Sequence, residues 1–232
     1  MLNQKMPERF SEWNEEMVAR HDPERFHAHP RAIVRWVERK RVKAVLRLLA
    51  ARRGDRVLEV ACGAGNVIGR LHCRERHALD LSRQMVRRAH ARLASDAVLL
   101  ADAEQLPYRD GVFDRVICTS VLSHVLHPER VLNECLRVAK PDGRLVVSVS
   151  YEAVIERGIR LARRLGLGFL VGNPEVVAAE SVYASEYHLH RFDLELLHEC
   201  AVRLPREQAV RRVPLAFYPA HLVVLYVKPA KE

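Results

Sequence analysis

The 232-residue chain has no long apolar run, no pair of cysteines at metal-ligand spacing and no lysine in its one glycine-rich loop. The first absence excludes a membrane-spanning helix, which needs about 20 apolar residues. The opening MLNQKMPERFSEWNEEM is polar and acidic, which counts against a signal peptide. Cysteines stand at 62, 73, 118, 135 and 200, an odd count mostly within apolar runs, and this suits reduced thiols in a cytoplasmic setting. No metal site is expected, because His188 and His190 lack a third ligand at a suggestive spacing. Internal repeats and low-complexity segments are also missing.

Hydrophobic residues make up 49% of the chain, enough for a substantial core. The net charge of +9 is unevenly placed. Arg31 to Arg56 hold ten basic residues against Glu38 and Asp55, a net of +8. Such a patch can meet the phosphates of lipid, nucleotide or nucleic acid, and a solvated helix face is the plainer reading.

From Pro30 to about Ala51 the pattern is helical, with Pro30 suited to the first turn and Gly54 to the exit. Short apolar runs then alternate with helical segments. Strands are expected at Val57–Ala61, Arg76–Asp80, Ala97–Ala101, Phe113–Thr119 and Arg144–Ser150. Helices are expected near Asn66–His72, Arg83–Leu93 (with Ser82 as N-cap) and Glu129–Ala139, and a turn at Lys140–Gly143. This rhythm predicts a doubly wound, mostly parallel α/β sheet. After Ser150 it breaks into a basic amphipathic helix near Ala153–Leu165, a loop and the segment SVYASEYHLHRF. A helix near Asp193–Ala201 and two strands, near Gln208–Val213 and Leu222–Lys228, follow. The expected organisation is one domain of 1–232. It comprises an N-terminal helical region (1–53), a core (54–150), a cap inserted after strand five (151–191) and a C-terminal helix with a strand pair (192–232).

The stretch VLEVACGAGNVIGRL (57–71) places a strand, an acid at Glu59 and a glycine turn at Gly63 and Gly65 in succession. Such a turn presents backbone N–H groups at the carboxyl end of the strand, where open α/β sheets bind ligands. The missing Gly-Lys-Ser/Thr removes a P-loop. The dinucleotide fingerprint needs a glycine where Ile68 stands, which weighs against NAD or FAD without removing them. Asp80 lies 17 positions after Gly63, at the end of the second strand, and can accept from both ribose hydroxyls. Asp102 and the backbone at Ala103 can read an adenine edge, and Leu81 and Met85 can cover its faces. Glu59 can anchor a network beneath an amino group. A ligand with an adenosine, an ammonium and no phosphates fits this set.

Five segments carry a family resemblance: EVACGAG (59–65), ALDLSRQM (78–85), ADAEQLPY (101–108), FDRVI (113–117) and KPDGRL (140–145). In order and spacing they resemble the motifs of class I S-adenosylmethionine-dependent methyltransferases. They are closest to the small-molecule branch that includes the ubiquinone- and menaquinone-biosynthesis enzymes. The resemblance covers roughly residues 40–150 and implies strand order 3-2-1-4-5-7-6, with the last strand antiparallel. It implies S-adenosyl-L-methionine as cofactor and a stretch from Thr119 to His124 that lines it. Ala61 departs from the family's glycine. Its methyl is tolerated in a β-like backbone and strained at positive φ.

Methyl transfer needs a positioned acceptor and, for a hydroxyl, a base. His188 and His190, which alternation puts on one side, and His124 after the fourth strand are the candidates. Tyr151, Tyr187 and His29 are candidate pocket residues. The histidines favour an O-acceptor of small-molecule or lipid-like kind. No Asn/Asp-Pro-Pro-aromatic turn follows strand four, and basic residues do not interleave with aromatics, so a nucleic-acid acceptor is disfavoured. Arg157, Arg160, Arg163 and Arg164 on the cap helix raise a peripheral contact with an anionic membrane. A fold-retaining cofactor-binding protein, a non-methylating enzyme and a methyltransferase on a macromolecule are the competing readings.

Overall fold

A computed structural model describes residues 9–27, 29, 31–93, 97–166 and 187–230. Its seven strands are β1 (Arg56–Val60), β2 (Glu75–Asp80), β3 (Ala97–Leu100), β4 (Phe113–Thr119), β5 (Ala139–Ser150), β6 (Ala209–Leu215) and β7 (Tyr218–Val227). They form one sheet in the order β3-β2-β1-β4-β5-β7-β6. The first five pair in parallel, and β7 runs antiparallel to both β5 and β6.

Both faces of this sheet are covered, so its central strands are apolar on both sides. Leu58, Val60, Val116, Val147 and Val224 share one core with α4 (Pro128–Val138) and α6 (Leu194–Cys200). Their neighbours Val57, Ile117, Val146 and Val223 face the other way, onto Val42, Val45 and Leu49 of α2 (Ala32–Leu49). α3 (Arg83–Leu93) covers β2 and β3, and α1 (Phe10–Arg20) lies against α3. α5 (Glu152–Arg164) follows β5 and packs on β7.

Three local expectations change. α2 ends at Leu49, because Ala50 adopts the left-handed conformation (φ 47°) and its N–H closes on the Leu46 carbonyl; Gly54 lies beyond the exit. The helix expected near Asn66–His72 is a single 3-10 turn, Ile68–Arg70. Leu71 already turns extended (ψ 142°) to reach β2, which leaves no room for a second turn. The turn at Lys140–Gly143 lies inside β5. Phe113 pairs with Ala139 and Arg115 with Arg144, so three extra residues bulge out with Asp142 at φ 59°. A side chain at Gly143 would come within 2.7 Å of the Lys140 carbonyl oxygen. Of the cap expected at 151–191, residues 167–186 lie outside the described residues.

The carboxyl ends of β1, β2, β4 and β5 lie along one edge. The start of β7 joins them there, because Ser150 pairs with His221.

Candidate functional site

β1 runs into three left-handed residues, Ala61 (φ 51°), Gly63 (φ 53°) and Gly65 (φ 76°). The Gly65 N–H closes on the Cys62 carbonyl, and the Cys62 N–H reaches the Leu79 carbonyl on β2. Gly65 must stay bare, since a Cβ there would sit 2.9 Å from Leu93 Cδ1. Ala61 holds a backbone that costs an L-residue about 1–2 kcal/mol, so the departure from glycine leaves strain in the loop.

Two buried acids fasten this turn. Glu59 Oε2 accepts the Ile68 N–H at 2.9 Å, and Glu59 is 2% exposed. Burial pushes its carboxyl up to about 8, against the opposing pull of the Ile68 N–H and of Arg41. Asp80 Oδ2 accepts the Gly63 N–H at 2.8 Å, and Oδ1 accepts the Ser82 N–H at 2.9 Å. Burial raises Asp80 too, and the two N–H groups oppose it. Each carboxylate oxygen can still accept from a second donor. Ser82 Oγ accepts the Met85 N–H at 3.3 Å and so caps α3.

The other expected cofactor residues take varied places. Thr119 ends β4 beside Ala61, given the Val60–Cys118 pairing. Asp102 is exposed, with Oδ1 accepting the Glu104 N–H at 2.8 Å, and Ala103 beside it is buried. Leu81 is half-buried. Met85 is 1% exposed because Met17, Val18 and Tyr187 cover it, so it meets α1.

His21, His27 and His29 suggest from the sequence that the N-terminal segment closes over the site, but the acids that fasten it there carry no signal. The Glu15 carboxylate accepts the Arg83 and Gln84 N–H groups at 3.0 and 3.1 Å, over the first turn of α3. Asp22 pairs with Arg88 at 2.8 Å. Glu24 accepts Asn66 Nδ2 at 2.5 Å and lies 3.7 Å from Arg92, directly above the glycine turn. These acids lie 42 to 69 residues from the groups they hold, so no local pattern marks them.

The histidines part company. His124 Nδ1 donates to the Tyr187 carbonyl at 3.1 Å, and its ring lies 4.2 Å from Tyr187 and 4.6 Å from His188. Burial, then His188, push its pKa down to about 3. His188 Nδ1 pairs with Glu152, which also meets Arg191 Nε at 3.2 Å. His190 turns elsewhere, donating Nε2–H to the Val125 and Leu126 carbonyls at 3.0 and 3.3 Å. Expected on one side, His188 and His190 are split because the chain here is held as loop by Ser123, whose carbonyl accepts both the Leu189 and His190 N–H groups. Tyr187 is buried and donates to Asn14 Oδ1 at 3.2 Å. His29 is buried at the entry to α2, with Nδ1 accepting the Arg31 N–H at 3.1 Å.

Residues 58–147 match the family described as methyltransferase domain. A demethylmenaquinone methyltransferase of Clavibacter sepedonicus is 38% identical over 109 residues, 45% of this chain and 44% of that protein. The ubiquinone/menaquinone biosynthesis C-methyltransferase UbiE of Ruegeria sp. (strain TM1040) is 36% identical over 114 residues, 45% of this chain and 46% of that protein. The chain thus matches less than half the length of these curated relatives. The N-methyltransferase NodS of Bradyrhizobium japonicum WM9, solved with S-adenosyl-L-homocysteine, has the same fold. It superposes with TM-score 0.64 at 16% identity over 95% of this chain and 98% of its own.

Beneath the glycine turn lies a second buried polar group. Arg41, 4% exposed, donates Nε to Glu38 Oε2 at 2.8 Å and Nη1 to Ser148 Oγ at 3.2 Å. Burial opposes both charges, and their mutual attraction wins, holding Glu38 down at about 2. His27 lies 3.3 Å from Glu38. Burial, then Arg41, push His221 down to about 4. One sequence signal pointed here: Arg41 stands on the apolar stripe of α2, between Val34–Val37 and Val45–Leu48. Tyr151, at the end of β5, lines an open cleft of about 570 Å³ with Asp193, Leu194, Glu195, His198 and Glu199.

Proposed function

We propose that the chain binds S-adenosylmethionine at the glycine turn and methylates a small, lipid-like acceptor that carries an acidic hydroxyl. One observation carries the cofactor half. Two buried acids, Glu59 and Asp80, are tied to the backbone of one turn that contains no basic residue. That donor set fits hydroxyls and an ammonium and repels phosphates. Asp80 is suited to the ribose hydroxyls, Asp102 to the adenine amine and Glu59 to the network under the ammonium. Bound there, the cofactor supplies a methyl on a sulfonium, already activated for in-line displacement.

The chain's own work is then to position the acceptor, exclude water and move a proton. α1 provides exclusion, since Trp13, Met17 and Val18 close over Tyr187 and Met85. His124, held near 3, stays neutral and shapes the site. His188 is the better base, because the Glu152 carboxylate holds its Nδ1 and orients the ring. It takes the hydroxyl proton, and the phenolate left behind attacks through oxygen. The same phenolate can attack through its ortho carbon, and the C-methyltransferase named among the relatives favours that second reading.

Calorimetry with S-adenosylhomocysteine tests the first half, and no binding sinks it. Labelled S-adenosylmethionine with a demethylated quinol tests the second, and carbon NMR of the product separates O- from C-transfer. The change His188→Gln is expected to lower kcat about 100-fold with little change in cofactor affinity.

A further inference from the structure

α5 buries only one side. Val154, Ile155, Gly158, Ile159 and Ala162 are half-buried, and the Tyr218 hydroxyl donates to the Val154 carbonyl at 2.7 Å. A side chain at Gly158 would lie 1.5 Å from that hydroxyl, so the tyrosine rests directly on the helix backbone. The other side is exposed. Arg157, Arg160, Leu161 and Arg164 fall within about 100° of the helix surface. Leu161 and Leu165 are 57% and 64% exposed. The helix's acids are already engaged: buried Glu152 holds His188 and Arg191, and exposed Glu156 holds Arg191. Among the described residues no carboxylate pairs with Arg157, Arg160, Arg163 or Arg164.

The β6–β7 hairpin ends beside α5. Tyr218 touches α5, and its chain neighbour Phe217 stands 86% exposed at the tip, with Leu215 at 40%. Arg211 and Arg212 are exposed on the strand leading to it. Because β7 begins at the carboxyl end of β5, the hairpin tip and the start of α5 share the sheet edge that carries Glu59, Asp80 and Thr119.

We infer that this face docks on an anionic lipid bilayer, with Phe217, Leu161 and Leu165 entering the headgroup boundary and the arginines meeting lipid phosphates. Arginines alone would suit any polyanion. A phenylalanine and two leucines left in water among them fit an interface with an apolar layer beneath its phosphates. Docking there sets the candidate site beside the bilayer, where a lipid-like acceptor is held. The inference rests on the acceptor reading for that last step only.

Sedimentation with vesicles tests it without turnover. At ~50 mM salt the chain is expected to pellet with phosphatidylcholine–phosphatidylglycerol vesicles, and to stay in solution with phosphatidylcholine alone. Each of Arg157→Gln and Arg160→Gln is expected to weaken binding about fivefold. Phe217→Ser should weaken it by about tenfold. Lys43→Gln and Arg47→Gln on α2 serve as charge-matched controls and should change it less than about twofold. No pelleting with the anionic vesicles overturns the inference, as does equal weakening by the α2 controls. Binding to a single-stranded oligonucleotide that matches vesicle binding and ignores Phe217→Ser overturns it in favour of a nucleic-acid surface. S-adenosylhomocysteine calorimetry on the same preparation reports separately on the cofactor site.

Discussion

Replacing Ala61 with glycine isolates the strain in the turn. Ala61 sits at φ 51°, a conformation that costs alanine about 1–2 kcal/mol and glycine almost nothing. Glycine in turn widens the unfolded ensemble by about 0.4–1 kcal/mol. The difference is a gain of roughly 0.5–1 kcal/mol for Ala61→Gly. In a chain of this length, 1 kcal/mol moves Tm by about 2–4 °C, so the expected rise is about 1–4 °C. Differential scanning calorimetry reads it directly. Ala50, exposed at φ 47°, is the matched positive control and should gain similarly on Ala50→Gly. Ala89, buried inside α3, is the negative control, since glycine there loses about 1 kcal/mol of helix propensity. A lower Tm for Ala61→Gly beside a higher one for Ala50→Gly would falsify the strain argument. Tighter S-adenosylhomocysteine binding in the same variant would show that the strain also opposes the bound state.

Glu59, held near 8, should make S-adenosylhomocysteine affinity rise about tenfold per pH unit below 8 and level off above it. Proton release measured by calorimetry in two buffers checks this, and Glu59→Gln should abolish it. For stability the sign follows from the raised pKa. The folded chain keeps a proton that the unfolded chain loses above about 4.5, so Glu59's contribution is lost as pH rises from 4.5 to 8. His221, held near 4, works in the other direction, and its contribution is lost as pH falls from 6.5. Arg41→Met strands the buried Glu38 carboxylate and should cost about 3–5 kcal/mol in urea unfolding. Arg41→Met with Glu38→Leu should recover most of that loss. Gly158→Ala drives a methyl into Tyr218 and should cost about 1–3 kcal/mol, less in a Tyr218→Ala background.

The strands and the glycine turn were legible because their signals are local. Val57 to Val60 and Phe113 to Thr119 are short, mostly apolar runs, and the first leads straight into the glycine turn. Asp80 was legible for the same reason, as the acid that ends β2. What stayed hidden depends on contacts between distant residues. Glu15 caps a helix 68 and 69 residues further on, and Glu24 reaches Asn66 across 42 residues. Alternation aimed His188 and His190 together, but that rule holds only in extended strand, and Ser123 holds the pair in a loop. The missing helix after Gly65 reflects the short span to β2, a distance that propensity does not record.

The strand that comes last among the described elements lies inside the sheet. β7 fills the gap between β5 and β6, and Leu222, Val223, Val224 and Tyr226 are at most 1% exposed. A ribosome therefore releases β5 long before its partner exists. Until then Leu145 to Val149 present an open, apolar strand edge, the kind that invites pairing with other nascent chains. Folding of the core has to wait for a segment nearly eighty residues downstream, and that interval is when this chain has most need of a chaperone.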